Sequence, residues 1–178
     1  SIAFADREFD VPISIDTGIL VKDVLTEVFN LDSIKLKWPN DLVFEKKKIG
    51  GILVEKEVFS NYTKAIVGIG INLELDKKES WWGDFGDFNG KNLRDKIINK
   101  ILVKFEALFR DGLNDWKNLW NQSCIHNDAI ISVARNDETI NGKYLGINDS
   151  GELLLEKKIG EIISFSSGEV SIKGIYNK

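Results

Sequence analysis

Apolar positions change their spacing several times along the chain, and each change predicts an element. Ile2 and Phe4 alternate with small residues, the mark of a short strand. A polar turn carrying Pro12 follows over residues 10–14. Val21, Val24, Leu25 and Val28 then fall at i, i+3, i+4 and i+7. That spacing predicts a helix from about Ser14, with Ser14 or Asp16 as its cap and residues 30–33 as its end. Ile34, Leu36 and Trp38 alternate with Lys35 and Lys37, so both lysines face away from the apolar side of a strand. Pro39-Asn40-Asp41 breaks that strand, because proline lacks a backbone donor and Asn and Asp favour turns. Residues 42–45 and 49–54 read as a hairpin around Lys46-Lys47, and residues 65–73 as a further strand entered from Ser60-Asn61. Gly68 and Gly70 weaken that strand but let a second backbone or a ligand come close.

Residues 74–90 are polar and glycine-rich, with Trp81, Trp82, Phe85 and Phe88, and read as a long loop. Helical spacing returns over residues 92–110, where Ile97, Ile101, Phe105 and Leu108 share a face, and a short helix holds Trp116, Leu119 and Trp120. From about Ile125 the pattern is one of short strands, at residues 129–134, 139–145, 153–155, 162–165 and 169–172. Asn141-Gly142, Ser150-Gly151 and Ser167-Gly168 supply turn chemistry between them. The expected architecture is α/β (α+β). A mixed β-sheet with flanking helices occupies residues 1–123, and a small C-terminal β-barrel module occupies residues 124–178.

Composition narrows the function classes. A chain of 178 residues with 43% apolar and 29% charged positions has the make-up of a water-soluble domain with one good core. Its net charge of −4 gives no electrostatic reason to expect nucleic acid or an anionic membrane as partner. No apolar run reaches the length of a membrane span, so no membrane association is expected. Cys124 is the single cysteine and has no internal disulfide partner, which suits a reducing, cytoplasmic location. The sequence starts at Ser1 within strand-like residues and contains no methionine, so a chain cut inside a domain is expected.

Candidate chemistry begins with absences. One histidine, His126, and one cysteine cannot assemble a Ser-His-Asp triad, a Cys-His pair or a His/Cys zinc site, and no metal site is expected. His126 reads as a loop residue at the junction of the two modules. There is no Gly-x-Gly-x-x-Gly or Walker sequence. Lys37-Trp38-Pro39-Asn40-Asp41 is more informative: a lysine at a strand end sits beside a turn offering an amide and a carboxylate. Lys48 lies on the next hairpin strand. Two lysines so placed either converge on a phosphate or carboxylate, or form a solvated hairpin whose charges oppose edge pairing.

The Lys-Trp-Pro-Asn-Asp turn, the run Lys48-Ile49-Gly50-Gly51-Ile52-Leu53-Val54-Glu55 and the run Gly68-Ile69-Gly70-Ile71-Asn72 closely resemble the biotin–protein ligase family in wording, order and spacing. Ser14-Ile15-x-x-Gly18 and Ser167-Gly168-Glu169-Val170-Ser171 resemble it too, so the likeness extends over essentially the whole chain. The resemblance implies a class II synthetase-like fold with an SH3-like C-terminal barrel. It implies an enzyme that makes biotinyl-5′-AMP from biotin and ATP, with Mg²⁺ carried by ATP, and passes biotin to a lysine of a biotin carboxyl carrier protein domain. By the same resemblance Lys48 and Lys37 are catalytic, Lys48 touching the biotin carboxylate and the adenylate phosphate and Lys37 supporting the phosphates. Gly51, Leu53, Gly68 and Ile71 line the biotin pocket with Lys48. Asn40, Asp41 and Asn72 face the nucleotide with Lys37, and Trp81 and Trp82 either cover the adenine or pack on the helix that follows. A homodimer is compatible with the family. Upstream of the strand at Ser1, family members carry a Ser-Thr segment and a glycine/arginine-rich loop, and any DNA-binding region also lies there. None of these occurs among residues 1–178, and Arg7, Arg94, Arg110 and Arg135 are scattered and do not replace the loop, so the ligase activity expected of the parent protein leaves open an inactive fragment here. Two alternatives stand beside the ligase: a biotin- or adenylate-binding homologue without catalysis, and a non-enzymatic module whose barrel binds another protein.

Overall fold

The structure is a computed structural model that describes residues 1–6, 12–76, 79–86, 88, 92–135, 138–167 and 170–173. Its elements are β1 (Ile2–Asp6), α1 (Ile13–Phe29), β2 (Lys35–Lys37), β3 (Asp41–Phe44), β4 (Lys47–Val58), β5 (Thr63–Ile71), α2 (Leu93–Asp111) and α3 (Trp116–Ser123). Five strands close the chain: β6 (Ile130–Arg135), β7 (Glu138–Ile147), β8 (Leu153–Lys158), β9 (Glu161–Phe165) and β10 (Val170–Lys173). The first five strands form one sheet in the order β1-β5-β4-β3-β2, and the last five form a second in the order β10-β6-β7-β8-β9. Every strand pair is antiparallel. The parallel part of the expected mixed sheet is confined to two single bridges, Leu36 to Cys124 and Lys48 to Trp82.

The periodicity of α1 does what it predicted. Val21, Val24 and Leu25 are fully buried, and the helix lies on the sheet face that carries Leu36 and Ile52. Asn30 ends it in the left-handed conformation with its N–H on Thr26 O. The start differs from expectation. The cap position is Pro12, and no side chain caps the helix. Ser14 instead donates to Pro39 O at 3.3 Å, and Asp16 is buried in the first turn. α2 packs beside α1 through Ile97, Ile101 and Phe105, while Phe4 of β1 meets Phe105 and Phe109.

Three further expectations are corrected by packing. Lys37 does point away from the apolar face, yet it is only 8% exposed, because the second face is covered near the turn. Asn141-Gly142 is not a turn; both residues lie inside β7. A Cβ on Gly142 would come within 2.5 Å of Glu156 O, so the glycine permits the close approach of β8. The long loop over residues 74–90 is partly core: Phe85 is 1% exposed and stacks on Phe29 at 3.9 Å. The expected turns at Asp10 and at Ser167-Gly168 reach beyond the described residues.

Two buried titratable groups oppose each other in the pH dependence of stability. Burial pushes the Asp16 carboxyl up to about 7 from an ordinary 3.8, and its Oδ1 has no hydrogen-bond partner. Burial, then the charge of Lys37, pushes His126 down to about 3 from 6.5, and neither ring nitrogen has a partner. Folded Asp16 binds more protons than unfolded Asp16, so its contribution is present below pH 3.8 and lost as pH rises through 7. Folded His126 binds fewer, so its contribution is present above pH 6.5 and lost as pH falls towards 3. The two slopes cancel where the windows overlap. Asp16→Asn removes one of them, so the variant loses about 3 kcal/mol of stability between pH 6.5 and 4, while the unaltered chain stays flatter. Urea unfolding across that range checks this; parallel curves for the two proteins contradict it.

Candidate active site

Cross-strand partners share a sheet face, and the register decides which side chains meet. Lys37 pairs with Asp41, and Asp41 pairs with Gly51. Leu42 pairs with Gly50 but Val43 pairs with Lys48, so Ile49 is an extra residue in β4, a bulge. Without it Lys48 and Gly51, three apart, would fall on opposite faces. With it Lys37, Asp41, Lys48, Gly51 and Leu53 lie on one face, opposite α1. Gly70 and Gly68 of β5, paired with Gly51 and Leu53, continue that face.

Asp41 holds the cluster together. Its Oδ1 lies 2.5 Å from Lys48 Nζ and its Oδ2 lies 3.4 Å from Lys37 Nζ. Asp41 thus draws two ammoniums together before a cavity with little side-chain bulk. Burial lowers the affinity of Lys37 for its proton; Asp41 acts the other way, and the Lys48 charge adds to the lowering. The neighbouring turn is fixed by Asn40, whose amide donates to Ile52 O at 2.7 Å and whose carbonyl accepts from Ile52 N.

Lys48 stands between two cavities. One, of about 410 Å³, is bordered by Asn40, Lys48, Gly51, Leu53, Gly68 and Gly70. The other, of about 480 Å³, is bordered by Lys48, Gly51, Gly70, Asn72, Trp81 and Trp82. The second is built by the chain beyond β5. Asn72 N–H donates to Ile49 O at 2.8 Å, and its side-chain amide donates to Gly83 O at 3.0 Å. Lys48 N–H then donates to Trp81 O, and Gly83 N–H to Lys48 O. Trp81 and Trp82 meet edge to face at 5.4 Å, half-buried, while Phe85 and Phe88 take the core side.

The site residues expected from sequence therefore separate. Lys37, Asp41, Lys48, Gly51, Leu53 and Gly68 share one face; Asn72, Trp81 and Trp82 gather around the second cavity; Asn40 borders the first. Ile71 is apart: it belongs to the α1 and α2 side of the sheet and lines another cavity of about 490 Å³ with Ile97 and Ile101. Sequence reading left Gly70 out of the site, although it borders all three cavities. Its signal was the Gly68-Ile69-Gly70 spacing, which puts both glycines on one face. Among the described residues no group of three His, Cys, Asp or Glu could hold a metal ion, and no helix is long and apolar enough to cross a membrane. Cys124 is buried, and burial pushes its thiol up to about 11, far from a reactive thiolate.

Residues 18–72 match the Biotin/lipoate A/B protein ligase family, and residues 130–173 match the Biotin protein ligase C terminal domain. The Bifunctional ligase/repressor BirA of Salmonella typhimurium is 29% identical over 173 residues, covering 92% of this chain and 53% of that protein. The chain thus spans about half the length of the curated relatives it matches. A biotin protein ligase from Aquifex aeolicus, solved in complex with biotin and ATP, superposes with a TM-score of 0.72 at 22% identity, over 96% of this chain and 76% of that one. The biotin acetyl coenzyme A carboxylase synthetase of Helicobacter pylori, solved with bound biotinylated ATP, gives 0.55 at 26% identity, over 92% and 73%.

The two adjacent glycines of β4 separate folding from site shape. A Cβ on Gly50 would collide with the carbonyl oxygen of Gly70, whereas one on Gly51 would stand 3.5 Å from Lys48 Cε, an ordinary contact. Gly50→Ala should cost about 1–3 kcal/mol, and Gly51→Ala less than about 1 kcal/mol. Denaturant midpoints of the two variants measure the difference; equal losses would show that Gly51 is needed for folding too.

Proposed function

Because the chain belongs to the biotin protein ligase family, we propose that its two-lysine cluster joins biotin to AMP and then serves transfer of biotin to a protein lysine. The observation that carries this reading is Asp41 shared between Lys37 and Lys48 at the edge of two glycine-floored cavities. In the first step a biotin carboxylate oxygen bonds to the α-phosphorus of ATP as the bond to the bridging oxygen breaks, and pyrophosphate leaves. Two anions must meet, and the Lys48 ammonium between the cavities lowers their repulsion and follows the charge on the phosphorus. Lys37 supports the same charge from behind Asp41. Bare glycines leave the first cavity open to the ring system of biotin, and Leu53 offers it an apolar side. The second cavity takes the nucleotide, with Asn72 beside it and the flat faces of Trp81 and Trp82 against the purine. ATP enters as its magnesium complex. In the second step the neutral lysine amine of a biotin carboxyl carrier protein domain attacks the acyl carbon, the acyl C–O bond breaks as the amide forms, AMP departs with that oxygen, and the amine's extra proton passes to solvent.

On this reading residues 1–123 are the catalytic unit and residues 124–178 an SH3-like module. The protein works in the cytoplasm, and a homodimer is compatible with this reading. Any DNA binding belongs to segments other than this chain.

Lys48→Ala should slow biotinyl-AMP formation by the equivalent of about 3 kcal/mol, since one charge-stabilising donor is lost. Pyrophosphate exchange measures it, and exchange at the unaltered rate removes Lys48 from the chemistry. Gly51→Val should weaken biotin binding in calorimetric titration without unfolding the chain; unchanged affinity would move biotin away from the first cavity. Trp81→Phe and Trp82→Phe, followed by fluorescence during titration with biotinyl-AMP, test the nucleotide side. At least one should change the ligand-induced signal.

A further inference from the structure

The short β2 strand that carries Lys37 is held by the C-terminal part of the chain on two sides. On one side Leu36 bridges to Cys124, and Ile125 N–H donates to Leu36 O at 2.8 Å. The next residue, His126, is 1% exposed and lies near enough for the Lys37 charge to act on it. On the other side the indole N–H of Trp38, a residue with no exposed surface, donates to Gly151 O at 3.0 Å.

Gly151 belongs to a turn built for rigidity. Asn148 Oδ1 accepts from both Ser150 N–H and Glu152 N–H at 3.0 Å, and Asn148 Nδ2 donates to Glu152 at 2.7 Å. Asp149 pairs with Lys117 of α3. Gly151 itself has φ +77°, and a Cβ there would come within 2.6 Å of Pro12 Cβ at the start of α1. The turn is thus wedged between α1 and Trp38, one residue from the lysine.

We propose that the turn over residues 148–152 is a positioning element for the lysine pair, acting on Lys37 through the Trp38–Gly151 hydrogen bond. This rests on the reading of Lys37 and Lys48 as catalytic. Releasing the turn frees the Trp38 end of β2, and Lys37 gains water and drifts from Asp41. Asn148 borders neither cavity beside Lys48, so a change there reaches the site only through the turn.

The test uses Asn148→Ala and Trp38→Phe in the full chain, each checked for folding by circular dichroism, with the double variant Asn148→Asp/Glu152→Gln as the conservative one: it keeps the two backbone contacts and sets an amide donor, not a carboxylate, against the new carboxylate. The first readout needs no ligand: the titration of Lys37 followed by its ¹³Cε resonance, with the shift assigned by Lys37→Arg. Asp41, Lys48 and His126 are among the titratable groups around it. The Lys37 midpoint should rise by about half a pH unit or more in Asn148→Ala and Trp38→Phe, because relief of burial, the largest influence on Lys37, outweighs the loosened contact with Asp41, and should return towards its original value in Asn148→Asp/Glu152→Gln. The second readout is pyrophosphate exchange. Here kcat should fall roughly tenfold in the first two variants, while KM for biotin stays within about twofold. An unchanged Lys37 midpoint in the folded variants overturns the proposal, whatever the activity. No exchange by the unaltered chain, with the midpoint shifted as expected, counts against the ligase reading and leaves the positioning role standing.

Discussion

Ile49 is one residue too many for the ladder between β3 and β4, and the local geometry follows from how the chain absorbs it. The bulge lets Ile49 and Gly50 both serve the helix side of the sheet while Lys48 and Gly51 both serve the other. A regular strand over the same sequence would bury either the lysine or its glycine partner among the apolar side chains that meet α1. The contact of Lys48 with Asp41, and through it with Lys37, exists because alternation is broken at that point. Bulged strands bend and twist more strongly, which also turns the Lys48 backbone towards the segment beyond β5.

The charge arrangement follows from that geometry. Three ionised groups on one sheet face form a small network, and its weakness is Lys37. A nearly buried ammonium is costly unless a carboxylate stays close. Asp41 meets that need from the adjacent strand, and its other oxygen is engaged by Lys48. On the proposed reading an arriving phosphate or carboxylate competes with Asp41 for the same ammoniums, so ligand affinity and cluster stability would be linked through one side chain.

Much of this was legible in the sequence. Period-2 and period-3.6 spacings located the elements, and glycine pairs together with the lysine turn picked out residues that the sheet brings onto one face. The misses share a cause: each concerns a position whose neighbours come from distant parts of the chain. Nothing local marks Gly142 as a close-approach glycine, because the atom that requires it belongs to Glu156. Phe85 lies in a stretch too polar to suggest burial, and the rings of Phe29 and Phe44 that cover it come from distant parts of the chain. Pro12 starts α1 in place of Ser14, whose hydroxyl is drawn to Pro39 by the tertiary fold.

The segment beyond β5 has a mechanical consequence. It is fastened at Asn72, fastened again at Phe85 in the core, and stitched between them to both backbone groups of Lys48. The tryptophans therefore ride on a short tether rather than a free flap. They cannot travel far without pulling the Lys48 main chain or breaking its two hydrogen bonds. A displacement of the tryptophan side of the cleft therefore bears directly on the Lys48 main chain, through two hydrogen bonds and without any rearrangement of the sheet.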